Sequence, residues 1–173
     1  MGMHIIIDGY NLVRQSRELS ELDRADIARG REALIEKLAA YRRFKPHRMT
    51  VVFDGAGAPA LSPGRDRMKG IGIVFSRGGE TADAVIGRMA RQEGETALVV
   101  SSDQAVVRSA QASGAAVIAS PEFEARMAMA GALEAGEPTQ ENQPARRVST
   151  RKKGEGRRLP KRLRQNQRRT AKL

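Results

Sequence analysis

A chain of 173 residues, 40% of them hydrophobic, has room for one domain of ordinary size whose core needs no metal or disulfide staple. It contains no cysteine, which excludes disulfides, thiolate nucleophiles and cysteine-held zinc. Its apolar runs are too short for a membrane span or signal peptide, so a cytoplasmic protein is expected, while a formal net charge of +11 points to a polyanionic partner.

In chain order, short apolar runs alternate with amphipathic stretches. "MHIII" is the first strand and runs into Asp8 and Gly9. The spacing of Ile27, Leu34, Ile35, Leu38 and Tyr41 predicts a helix over residues 23–43, with Gly30 tolerated inside it. "MTVVF" is the next strand and ends at Asp54. From Gly55 to Lys69 the chain is rich in Gly and Pro and reads as a long irregular loop. Its "GAGAPA" fits the dinucleotide-binding pattern, but Pro59 and Pro63 stand where a helix should open, so that reading is rejected. "IGIVF" is followed by a helix that Thr81 can cap, with Val85, Ile86, Met89 and Ala90 inward and Glu93-Gly94 at its end. Then come "ALVVS", a helix from Asp103 to Ser113 stopped by Gly114, and "AAVIA". The last helix of this part opens at "SPEFE", with Ser120 as cap, Pro121 in the first turn, and Glu122 and Glu124 facing the positive end of the dipole. Apolar runs without polar alternation suit parallel strands covered on both faces and joined by helical crossovers. The expected fold is a three-layer α/β/α sandwich on a mainly parallel five-stranded sheet.

The charge divides the chain. Residues 1–138 hold 18 Lys/Arg and 18 Asp/Glu, whereas residues 139–173 hold 13 and 2, so the second part carries the whole excess. A tail with so few apolar residues cannot offset its ordering entropy by burial and is expected to be mostly disordered on its own. Phosphate is its natural partner, with Arg151, Lys152 and Lys153 among its candidate contacts; a merely solubilising tail is the bland alternative. No amphipathic apolar face is present to hold it on a membrane.

In an open parallel sheet ligands bind beyond the carboxyl ends of the strands. Asp8, Asp54 and Asp103 follow three different strands there, and Glu80 and Asp83 follow a fourth. Each has an ordinary explanation as a turn former, cap or dipole partner. Together they would repel one another and raise each other's pKa unless a cation sat among them. Carboxylates without nearby His or Cys suit Mg2+ or Mn2+; His4 in a strand and His47 in a loop read as structural or solvated. Such a site can activate water against a phosphodiester. With no P-loop or nucleophile elbow in the sequence, the acids and the basic tail together favour a nuclease over a kinase or phosphatase.

Taken together, "IIIDGYNL", "VVFDG", "ETADAVIGRMA" and "LVVSSDQAVV" resemble the NYN domain family of PIN-like ribonucleases, in particular its bacterial YacP-type branch, over about residues 3–130. The resemblance implies strand order 3-2-1-4-5, metal-dependent endonucleolytic cleavage of RNA leaving 5′-phosphate and 3′-hydroxyl ends, and association with the ribosome or translated messenger RNA. It maps Asp8, Asp83 and Asp103 to the acidic catalytic centre. Asp54 and Glu80 fall at family-typical positions, as metal ligands, water-mediated ligands or shapers of the pocket. Asn11 matches the family's asparagine, orienting either Asp8 or substrate, and Ser102 offers a hydroxyl to a phosphate or a carboxylate. The basic extension is not part of the domain signature. Tyr10 reads either as a base contact or as packing beside the strand end, and Arg14, Arg65, Arg67, Lys69 and Arg77 either as guides for a nucleic-acid strand or as solvated surface charge. With aromatics at 3%, a broad base-stacking platform is not expected. The alternative for the whole chain is a non-catalytic RNA- or ribosome-binding module.

Overall fold

The computed structural model describes residues 2–57, 64–135 and 160–173. Its strands are β1 (His4–Asp8), β2 (Arg48–Phe53), β3 (Arg65–Met68), β4 (Ile71–Phe75), β5 (Ala97–Val100) and β6 (Ala116–Ile118). Its helices are α1 (Gly9–Gln15), α2 (Arg17–Ala25), α3 (Ile27–Phe44), α4 (Ala82–Glu93), α5 (Gln104–Ala112), α6 (Ser120–Ala135) and α7 (Lys161–Thr170). None of the described helices is long and apolar enough to cross a membrane.

The sheet runs β3-β4-β2-β1-β5-β6. All neighbours are parallel except β3, which pairs antiparallel with β4. Alternation along β1 divides the core: Ile5 and Ile7 pack with Leu12, Leu34, Leu38 and Phe123 from α1, α3 and α6, while Ile6 packs with Val85, Ile86, Val106 and Ala110 from α4 and α5. All three isoleucines are wholly buried, each contributing roughly 1.5–3 kcal/mol relative to exposure. This is the expected three-layer sandwich, and the five apolar strands stand in the expected order.

Three expectations need correction. The sheet has a sixth strand, β3, inside the stretch read as irregular loop. All four of its residues are exposed, so it carries no apolar signature and exists through its hydrogen bonds to β4. The single early helix is three. Ser16 caps α2 by accepting from the Leu19 amide at 3.3 Å, and Asp26 caps α3 by accepting from the Ala28 amide at 2.8 Å, so two capping side chains break what looks like loop followed by helix.

The third correction concerns part of the basic tail: residues 161–170 form a docked helix, α7, where disorder is expected. The Asn166 side chain accepts from the Val117 amide at 2.8 Å and donates to the Val117 carbonyl at 3.1 Å, covering the open edge of β6. Arg169 donates to the Gly114 carbonyl at 2.9 Å, Arg126 donates to the Thr170 carbonyl, and Tyr41 donates to the Leu173 carbonyl at 2.6 Å. Leu173 is buried against the core. The order of this segment thus comes chiefly from polar groups satisfying backbone groups, which a count of apolar residues does not register. The remainder of the expected tail, with Arg151, Lys152 and Lys153, lies outside the described residues.

Candidate active site

Because β1, β2 and β5 are parallel, the residues that follow them share one edge of the sheet. Asp8 closes β1 and caps α1, accepting from the Asn11 amide at 3.4 Å. Asp54 follows β2 and accepts from the Ala56 amide at 3.1 Å. Asp103 caps α5, accepting from the amides of Ala105 at 2.7 Å and Val106 at 3.4 Å. Asp83 lies in the first turn of α4, which Thr81 caps through the Ala84 amide.

The glycines after Asp8 and Asp54 are set by close approach, not by turn geometry, since neither has positive φ. A Cβ on Gly9 would lie 2.4 Å from Phe53 Cε1, and one on Gly55 would lie 2.0 Å from the Ser76 carbonyl oxygen. Both strand ends are therefore drawn tightly against their neighbours, which fixes the exits of the two aspartates.

Four of the expected acids feel one another. Burial raises the Asp8 carboxyl to about 6; the charges of Asp83 and Asp103 add to the rise, while hydrogen bonds from Ser101 and Asn11 oppose it. Asp83 is also raised, first by desolvation and then by Asp103 and Asp54. Among the described residues no three His, Cys, Asp or Glu side chains lie close enough, as they stand, to form a ready metal-ligand set. Glu80 is not brought into the group: its carboxylate is taken by Arg88 of α4.

A ring of hydrogen bonds ties three strand exits together. The Asn11 side-chain oxygen accepts from the Ser102 amide at 2.9 Å and from the Ser120 hydroxyl at 2.7 Å, and the Ser120 amide donates to the Ser102 hydroxyl oxygen at 3.1 Å. With its oxygen doubly occupied, Asn11 has its NH2 left as the free, orientation-fixed half of the amide. Ser102 therefore supports this ring, and the hydroxyl that reaches a carboxylate belongs to Ser101, which donates to Asp8 at 2.9 Å and accepts from the Asp103 amide at 3.1 Å.

Ser101 and Ser120 are the residues sequence reasoning missed. Pairing of Ile7 with Val100 carries Ser101 to the side of Asp8, a signal available once strand register is known. Ser120, expected as a cap, is wholly buried and spends its hydroxyl on Asn11. Tyr10, left open between base contact and packing, is packed: its ring lies 5.1 Å from that of Phe53, and its hydroxyl accepts from Arg31 at 3.3 Å. Arg14 stands over the same ring at 5.9 Å.

Comparison with known proteins agrees with this architecture. Residues 5–170 match the family model described as the YacP-like NYN domain. The matched residues pass beyond 138 and take in α7, so all but the last three residues of the extension set outside the domain signature lie within the family model. The chain is 29% identical over 87 residues to the uncharacterized protein YacP of Bacillus subtilis (strain 168), a match spanning 50% of this chain and about half, 51%, of that relative. It is similar in fold to the crystal structure of Rae1 (YacP) from Bacillus subtilis, with a TM-score of 0.66 at 24% identity over 79% of each chain. The crystal structure of a tryptophan-to-leucine mutant of that same protein gives a TM-score of 0.62 at 23% identity, over 76% of this chain and 77% of the other.

Proposed function

The chain belongs to the YacP-like NYN domain family, and on that premise we propose that it is a divalent-metal-dependent endoribonuclease acting on single-stranded RNA. The family's domain is of the PIN-like nuclease type. The observation that carries the reading is the gathering of Asp8, Asp54, Asp83 and Asp103 at one sheet edge, where burial first and the neighbouring acids second make Asp8 and Asp83 harder to ionise.

The donor chemistry fits Mg2+ or Mn2+: several carboxylate oxygens, no sulfur and no imidazole among them. Asp8, Asp83 and Asp103 would hold the cation, with Asp54 adding charge nearby; Glu80, paired with Arg88, is the weakest of the family-typical positions. When bound, such a cation supplies neutralisation of phosphate charge and acidification of water.

The chain's own groups do the positioning. Ser101 keeps the Asp8 carboxylate turned one way and links it to the start of α5. Asn11, locked by Ser102 and Ser120, presents its NH2 as a donor for a phosphate oxygen. Water oxygen bonds to phosphorus, the bond from phosphorus to the 3′ oxygen breaks, and the products carry 5′-phosphate and 3′-hydroxyl ends. Cytoplasmic messenger RNA, free or on the ribosome, is the substrate class that accompanies this reading.

The test is cleavage of end-labelled single-stranded RNA, and of messenger bound to ribosomes, with Mg2+, Mn2+ or chelator. The wild type should cut in a cation-dependent way, and Asp83→Asn should keep its fold and lose cleavage. RNA bound but uncut under every condition would establish the alternative, a non-catalytic binding module.

A further inference from the structure

The docked helix α7 divides its charges into two groups. Arg169 reaches the Gly114 carbonyl and stands 3.7 Å from Glu95, and Arg162 donates to the Gln111 carbonyl, so these two belong to the attachment. Lys161, Arg164 and Arg168 do not. Their side chains are exposed and make no hydrogen bond or ion pair among the described residues. At positions i, i+3 and i+7 they fall on one face and line one surface cleft with Gln165.

This arrangement works against the helix that carries it. Like charges three and four residues apart cost about 0.2–0.5 kcal/mol per pair, and Lys161 sits at the positive end of the helix dipole. A polyanion lying along the face would relieve both. A lipid surface suits it poorly, because Leu163 is the one aliphatic residue in α7 and no apolar face accompanies the charge.

The attachment also fixes where the face lies. Glu95, Gly114 and His47, which hold α7 and the residues after it, precede β5, β6 and β2, whereas the acids follow β1, β2 and β5. The stripe therefore occupies the end of the sheet opposite the acidic centre.

We propose that Lys161, Arg164 and Arg168 form a preformed phosphate-binding surface for single-stranded RNA, which holds the strand away from the bond to be cut. The inference rests on RNA as the substrate of the acidic centre and concerns binding alone. The free cations are rigidly spaced by the helix over about 10 Å of its axis, so the contact needs no ordering of the chain and carries no base preference.

The test uses the full chain bearing Asp83→Asn, so that cleavage does not intrude, and a 5′-labelled oligouridylate read by fluorescence anisotropy. The triple variant Lys161→Gln, Arg164→Gln, Arg168→Gln should lose about 2 from the slope of log affinity against log salt, so that between about 50 and 200 mM salt the parent weakens roughly twentyfold more than the variant. Exchanging Lys and Arg at the three positions should restore the parent slope. A control of equal net charge, Arg17→Gln, Arg24→Gln and Arg91→Gln on α2 and α4, should leave it unchanged. A parent slope in the stripe variant, or an equal loss in the control, would overturn the proposal. So would loss of binding to anionic vesicles or an acidic protein with RNA binding intact. Failure of the wild type to cleave RNA would count against the nuclease reading without altering this result.

Discussion

Replacing Asp8 by Asn should stabilise the cation-free protein at neutral pH while removing cleavage. Asp8 is only 7% exposed, and burial lifts its carboxyl from an ordinary 3.8 to about 6. An acid with a higher pKa folded than unfolded favours the fold in its protonated form. That contribution is complete below about 3.8 and is lost as pH rises through about 6. At about 1.36 kcal/mol per pKa unit, the ionised wild type is disfavoured by about 3 kcal/mol above pH 7 relative to a neutral group of the same shape. Asn supplies that shape, keeping an oxygen for the Asn11 amide and turning its NH2 to the Ser101 oxygen. Imperfect fit of the extra hydrogens reduces the expected gain to about 1–3 kcal/mol. Urea unfolding in chelator, from about pH 4 to about pH 8, should show little difference at the acid end and a gain that grows through about pH 6. Saturating Mg2+ or Mn2+ should favour the wild type instead, because the carboxylate then has a partner. A gain of equal size at both ends of the pH range, or none at the alkaline end, would refute the burial argument.

Two further perturbations test the local geometry. Gly9→Ala places a methyl 2.4 Å from Phe53 Cε1 and 2.9 Å from Val51 Cγ1 and should cost about 1–3 kcal/mol in urea unfolding; unchanged stability would show that the β1 exit is not tightly packed. Asn166→Ala leaves the Val117 amide and carbonyl uncovered at the sheet edge. It should cost about 1–3 kcal/mol and speed amide exchange at Val117, whereas unaltered exchange would mean that α7 does not guard β6.

Much of this protein is legible one segment at a time. Uninterrupted runs such as "MHIII" and "TVVF" require cover on both faces, which dictates parallel strands with helices between them, and hence the layered fold. Parallel strands put their exits on one edge, so the gathering of Asp8, Asp54, Asp83 and Asp103 follows from sequence order alone. Thr81 and Asp103 cap their helices as the local pattern requires, because a cap is decided within three residues of the chain.

Other features depend on neighbours far along the chain. Exposed, charged β3 is a strand because β4 lies beside it, and α7 is ordered because Val117 and Gly114 have backbone groups to satisfy. Glu80 belongs to Arg88 and not to the other acids because of where helix α4 turns its side chains. That the hydroxyl reaching a carboxylate is Ser101, on Asp8, and not Ser102 is a matter of one residue in register, and register is a property of paired strands. The chemistry at the edge is written in the order of the residues. Which of them touch, and at what pKa, is decided by packing, because hydrogen-bond reach and burial exist only once distant segments are side by side.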